Sequence, residues 1–253
     1  MAQYEIYALW LGEKTADNSR FMYLTNAGRQ TTIYYYLWLI KNAEEAILVD
    51  TGFSQEAAEK RNLNNFTHPL ERLAQLRVNP ISIQTILISH LHWDHFASPE
   101  FFPQATFYLQ EREAHFFAGP FARYQAFNEF VDPESVGKML SLNYQGRFRL
   151  LQGTKEVLPG LCLHLTGGHT PGHQIVEVDT VRGKAVLGID ACHLYRNLEE
   201  MIPGGVIVDL REMVQGLETV KALASAPELA FPGHDPALLR KYPKVGEGIV
   251  RLV

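Results

Sequence analysis

The sequence predicts a four-layer αβ/βα sandwich, two β-sheets packed face to face with helices outside. Three observations predict it. β-like runs open the chain and return after residue 147, helix-and-strand units fill the middle, and the buried run Thr85-Ile86-Leu87-Ile88-Ser89 ends in His90-Leu91-His92-Trp93-Asp94-His95. A core strand that ends in such a cluster delivers polar groups at the carboxyl edge of a sheet, where open α/β folds place their ligands.

In order, residues 3–10 alternate and favour β-formers, and residues 31–40 form a stronger aromatic and β-branched run, so both are expected strands. The polar stretch 12–26 between them reads as a loop or irregular edge. Ala46-Ile47-Leu48-Val49-Asp50-Thr51-Gly52 follows a polar turn and should pair with the preceding strand as a hairpin. Leu70, Leu73, Leu76 and Val78, with Pro69 near the start, fit a helix over 68–78 that feeds the strand 85–89. Beyond the histidine cluster, 105–109 reads as a strand, and 111–117, 124–130 and 133–142 as helices. Five β-like runs occupy 147–190. A helix over 210–224, a short strand 229–231, the turn Pro232-Gly233-His234-Asp235 and a helical tail complete the chain.

With 253 residues, 46% hydrophobic and 20% charged, the chain is expected to be one globular domain, 1–253. A net charge of −5 with scattered Lys and Arg argues against a nucleic-acid partner. The longest apolar run, 33–40, is too short for a membrane span of about 20 residues. The first residues carry no basic region leading into an apolar one, so the cytoplasm is the expected compartment. Cys162 and Cys192 form neither a CxxC pair nor a disulfide framework and are expected as buried thiols.

Imidazole is the commonest protein ligand for a borderline divalent metal, and an adjacent carboxylate can bind a second metal or take a proton. A histidine-rich surface loop is the competing reading, set aside because this cluster follows a core strand in mid-chain. Further ligands should then be His, Asp or Glu at strand ends or turns. His169 lies in Gly167-Gly168-His169-Thr170-Pro171-Gly172-His173, Asp190 ends an apolar strand, and His234 sits in a Pro-Gly turn. Asp50, also at a strand end, is read as supporting a neighbouring histidine. His173 is read as orienting the ligand loop, His68 and His164 as structural, and His115 as a residue that could line a pocket.

The order HxHxDH, His, Asp, His resembles the metallo-β-lactamase superfamily over nearly the whole chain, including Val49-Asp50-Thr51-Gly52. The resemblance implies a binuclear site: His90, His92 and His169 on one divalent ion, Asp94, His95 and His234 on the other, Asp190 bridging, and zinc as the metal. Such a pair activates a water for hydrolysis, and Asp94 could move a proton to the leaving group.

Within the superfamily, Tyr35-Tyr36-Leu37, Val49-Asp50-Thr51-Gly52-Phe53, Leu91-His92-Trp93-Asp94-His95 and Gly188-Ile189-Asp190-Ala191 are most similar to the N-acyl homoserine lactonases. That similarity implies a small lactone substrate and quorum quenching. It also implies a tyrosine three residues after the bridging aspartate, against the substrate carbonyl. This chain has His193 there, with Tyr195 two residues on, so either could take that role. Another lactone, or a thioester as in glyoxalase II, is the alternative substrate, although Arg240, Lys241 and Lys244 are the only candidates for a C-terminal basic cluster. Nine of the fourteen phenylalanines lie between Phe96 and Phe130. They are read first as helix packing or a subunit interface, which leaves a homodimer open, and second as the wall of an apolar pocket.

Overall fold

The aromatic run near the start of the chain divides its side chains between two cores. In the computed structural model, which describes residues 3–253, β1 (Glu5–Asp17) and β2 (Gln30–Lys41) pair antiparallel. On β2, Tyr36, Trp38 and Ile40 enter one apolar cluster while Ile33, Tyr35, Leu37 and Leu39 enter another, because side chains alternate across a pleated strand. β3 (Ala46–Val49) returns antiparallel as the second arm of a hairpin. β4 (Thr85–Leu87), β5 (Thr106–Gln110) and β6 (Phe148–Leu151) then extend the sheet in parallel.

The second sheet contains β7 (Lys155–Leu158), β8 (Leu161–Leu165), β9 (Gln174–Thr180), β10 (Gly183–Ile189) and β11 (Ala230–Pro232), in the order β11-β10-β9-β8-β7. β12 (Lys244–Gly246) and β13 (Ile249–Arg251) complete the far edge of the first sheet beside β1. Between the sheets, Trp38, Val49 and Leu87 meet Leu163, Val176 and Phe231.

Five helices flank the first sheet in sequence: α1 (Gln55–Lys60), α2 (Pro69–Gln75), α3 (Glu111–Phe117), α4 (Gln125–Asn128) and α5 (Pro133–Tyr144). Leu73, Ala114 and Met139 pack there against Leu37, Ile86 and Phe107. α6 (Tyr195–Glu200) and α7 (Leu210–Leu223) cover the second sheet, with Leu198, Leu217 and Val220 against Ile175 and Val186. α8 (Leu238–Lys241) is a single turn. The result is the expected four-layer sandwich, and among the described residues no helix is long and apolar enough to cross a membrane.

The structure departs from the sequence reading in particular places. The polar stretch after Gly12 is strand: β1 bulges between Trp10 and Gly12 and runs on to Asp17, with Thr15 opposite Thr32. Its side chains are half-buried or exposed, so the apolar alternation that marks a strand is missing. The helical tail stops at Lys241, before Pro243, and the β-branched Ile249-Val250 pair instead with β1 opposite Ala8 and Leu9. Over 124–130 only Gln125–Asn128 is helical. Helix α1 was not anticipated, although Ser54 caps it by accepting from the Ala57 N–H. Cys162, next to the edge strand β7, is only partly buried, whereas Cys192 is buried as expected.

Candidate metal centre

β4 ends at the carboxyl edge of the first sheet and hands the chain to the histidine loop. The structure brings His90, His92, Asp94, His95, His169, Asp190 and His234 together at the rim shared by the two sheets, all buried except Asp94, whose side chain is 10% exposed. Asp190 follows Ile189, a β-branched residue held at φ 47°. That strain, about 1–3 kcal/mol, accompanies the turn of the strand end toward the centre.

The histidines are aimed by their outward nitrogens. His95 Nδ1 lies 2.7 Å from Asp50 Oδ2, His169 Nδ1 donates to the Val206 carbonyl at 2.9 Å and His234 Nδ1 to that of Tyr34 at 2.8 Å. His90 Nδ1 lies 3.0 Å from Ser89 Oγ, which in turn donates to Asp50. Such bonds fix the tautomer and leave Nε2 lone pairs facing inward. There, Asp190 Oδ1 lies 2.9 Å from His234 Nε2 and 3.4 Å from His95 Nε2, and Asp190 Oδ2 lies 3.1 Å from His169 Nε2. His95 Nε2 is also 3.1 Å from Asp94 Oδ2, and His92 Nδ1 is 3.0 Å from His169 Nε2.

These residues fit a pair of divalent cations. His90 Nε2 is buried without a hydrogen-bond partner, an arrangement that costs about 1–3 kcal/mol unless something fills it. Ligand atoms form overlapping triplets, among them His90-His92-His169 and Asp94-His95-His234, with every atom within 4.8 Å of the others in its triplet. Imidazole nitrogen and carboxylate oxygen together suit a borderline divalent ion.

The electrostatics agree. Burial and neighbouring imidazoles hold His90 and His92 well below the ordinary histidine value, in the neutral form that binds metal. Burial opposes charge on Asp190, yet His234 and His95 outweigh it and hold the carboxyl well below its usual range. The same attraction raises His95 and His234 against their burial, through Asp94 and Asp50 for the first and Asp190 for the second. The carboxylates thus stabilise positive charge on His95 and His234, charge that bound cations would supply in place of those protons.

Asp50 stands where the sequence placed it, behind His95. His173 also lies beside the centre: its Nε2 accepts from the Asp190 N–H at 3.2 Å and its Nδ1 meets Thr166 Oγ1 at 2.8 Å. His193 is buried with Nε2 3.4 Å from Asp190 Oδ2, and its ring is seated against Gly204, where a Cβ would come within 2.4 Å. Tyr195 is not brought to the centre. Its hydroxyl lies 3.4 Å from that of Tyr242 and its ring packs under Lys241. His115 is exposed beside Glu111 and likewise stays away. His164 is bonded to Glu177, and His68 caps α2.

Sequence reasoning missed Glu113, which is wholly buried and accepts from the Leu91 N–H at 2.9 Å and the Gly172 N–H at 2.8 Å, joining the two ligand loops. An acid in the first turn of a helix carries no local sign of that tertiary role. Of the phenylalanine-rich stretch, Phe96, Phe102, Phe107 and Phe117 pack in the outer core, and Phe130 lies 5.5 Å from the His92 ring. A small cavity of about 60 Å³ over the centre shares Phe21, Tyr35, Trp93, Phe130 and Val206 with an outer cavity of about 430 Å³.

The family model of the Metallo-beta-lactamase superfamily matches residues 32–234. The chain belongs to this superfamily. It is a metal-dependent hydrolase of the metallo-beta-lactamase fold. It is 27% identical over 247 residues to an N-acyl homoserine lactonase of Bacillus thuringiensis, covering 91% of this chain and 93% of that one. It is 24% identical over 188 residues to the lactonase AttM of Rhizobium radiobacter, covering 70% and 68%. Among solved structures, a quorum-quenching N-acyl homoserine lactone lactonase superposes with a TM-score of 0.80 at 24% identity over 97% of this chain and 98% of that one. The dizinc quorum-quenching lactonase AidC gives 0.73 at 20% identity over 93% and 89%. Both superpositions share the metallo-beta-lactamase fold.

Proposed function

We propose that this hydrolase opens lactone rings, with N-acyl homoserine lactones first among its substrates and two zinc ions as its metals. The observation that carries the reading is the convergence of seven His and Asp side chains on one buried centre, in a chain resembling N-acyl homoserine lactonases over 91% of its length. His90, His92 and His169 would hold one ion, Asp94, His95 and His234 the other, with Asp190 bridging. Bound there, the ions supply Lewis acidity and an activated water.

The reaction adds water across the ring ester: the acyl C–O bond breaks, a new one forms, and the product is a hydroxy acid that ionises. Asp94, the most exposed of the seven and a wall of the inner cavity, accepts the proton of the attacking water and returns it to the ring oxygen. His193 donates from Nε2 to the carbonyl oxygen, the role taken by tyrosine in the lactonases. Phe21, Trp93 and Phe130 wall the approach and exclude water. Residues 1–253 act as one domain, and hydrolysis of a diffusible signal in the cytoplasm would amount to quorum quenching.

The thioester alternative gains nothing from the C-terminal cations, since Lys241 packs over Tyr195 and none of Arg240, Lys241 and Lys244 lines either cavity. A panel of lactones, thioesters and phosphodiesters assayed with one metal-loaded preparation tests the proposal. Ring opening of at least one lactone is expected. Turnover of thioesters with none on any lactone would overturn it.

A further inference from the structure

The outer cavity has aromatic walls but a cationic rim. Lys14, Arg20 and Arg61 line it against a single acid, Glu129, in a chain whose net charge is −5. The unanticipated continuation of β1 carries Lys14 to this place. Arg61 stacks 5.5 Å from the Trp93 ring and Arg20 5.7 Å from the Phe130 ring. Those rings are also walls of the inner cavity: Trp93 stands between His92 and Asp94, and Phe130 abuts His92.

The charges on this rim are unevenly matched. Arg20 meets Glu129 at 3.3 Å where both are about half exposed, and Arg61 meets Asp132 at 3.2 Å. Lys14 has no carboxylate partner within 4.0 Å among the described residues; its ammonium donates only to the Arg61 carbonyl, at 2.7 Å. Arg61 Nε is buried with no acceptor at all. Burial, then the two guanidiniums, draw the Lys14 pKa down. Gathering like charges with unfilled donors works against folding, and such local conflicts concentrate at binding sites.

We propose that the rim of Lys14, Arg20 and Arg61 is a subsite for a carboxylate carried by the substrate, so that lactones bearing an anionic substituent are preferred over neutral ones. The inference rests on the lactone-opening reading and deepens it. The aromatic walls take the linking chain and the rim takes its charged end.

Two lactones of matched length test this: N-hexanoyl homoserine lactone and its analogue ending in a carboxylate, N-adipoyl homoserine lactone. kcat/KM is measured on the metal-loaded protein, and binding of the two ring-opened acids is measured by calorimetry. The added carboxylate should raise kcat/KM and tighten binding by about tenfold, the scale of one charge-assisted hydrogen bond. Both gains should shrink as salt rises from about 50 to about 500 mM. Lys14→Met should bring both ratios to within about twofold of unity, the size of an exposed pair, and Arg20→Gln, kept in case the first variant folds poorly, should lower them in the same direction. Ratios at or below one in the wild type, or ratios unchanged in both variants, would overturn the subsite. Failure to open either lactone would count against N-acyl homoserine lactones as substrates alone, because the two binding constants still decide the rim.

Discussion

Glu113→Ala asks whether one buried carboxylate holds the two loops that carry the centre. Its oxygens accept the N–H of Leu91, between His90 and His92, and that of Gly172, three residues past His169. The fit is close: a Cβ on Gly172 would come 2.3 Å from the Glu113 nitrogen. Truncation leaves two buried N–H groups without acceptors, at about 1–3 kcal/mol each. Against this stands the cost of burying the charge, which pushes the Glu113 carboxyl above its ordinary value and is recovered on removal. The balance is a loss of about 2–4 kcal/mol, and loosened ligands should weaken metal binding by about 10–100-fold. Denaturant unfolding of metal-free protein reads the first, and chelator competition reads the second. A variant within about 0.5 kcal/mol of wild type, with unchanged metal affinity, would refute the reasoning.

Other perturbations separate the roles within the centre. Asp94→Asn should keep most of its metal, since the amide is still a weak ligand, yet lose at least about 10² in kcat; metal content and rate are measured on the same sample, and near-normal turnover would remove Asp94 from proton transfer. His193→Ala should cost about 10² in kcat on a lactone without changing metal content. Gly204→Ala, which crowds the His193 ring, should reproduce part of that loss, and two fully active variants would leave the carbonyl without a donor from this residue. Asp50→Ala frees the Nδ1 of His95 and should weaken metal binding by about 10–100-fold; unchanged affinity in a chelator titration would contradict its supporting role.

The centre was legible because its chemistry lies at strand ends and glycine turns, positions that composition and period mark directly. His90, His92, Asp94 and His95 follow an apolar strand, and Asp190 ends another, so local reading sufficed. Tyr195 shows where it ran out. Two residues from His193, it falls in the first turn of α6, and the helix turns its ring toward Tyr242. No local pattern distinguishes those two directions. Glu113 and Lys14 escaped for related reasons: the one acts through contacts 22 and 59 residues away, and the other lies on a strand whose polar side chains hide its period. The C-terminal hairpin was hidden by distance, since Ile249 and Val250 are fixed by pairing with Leu9 and Ala8.

The central claim is a binuclear centre, and metal stoichiometry tests it most directly. Protein stripped by chelator, reloaded with excess zinc and passed through a desalting column should retain close to two ions per chain by elemental analysis, and His90→Ala or His95→Ala should retain fewer. A wild-type value that stays at zero or one after reconstitution would contradict the account.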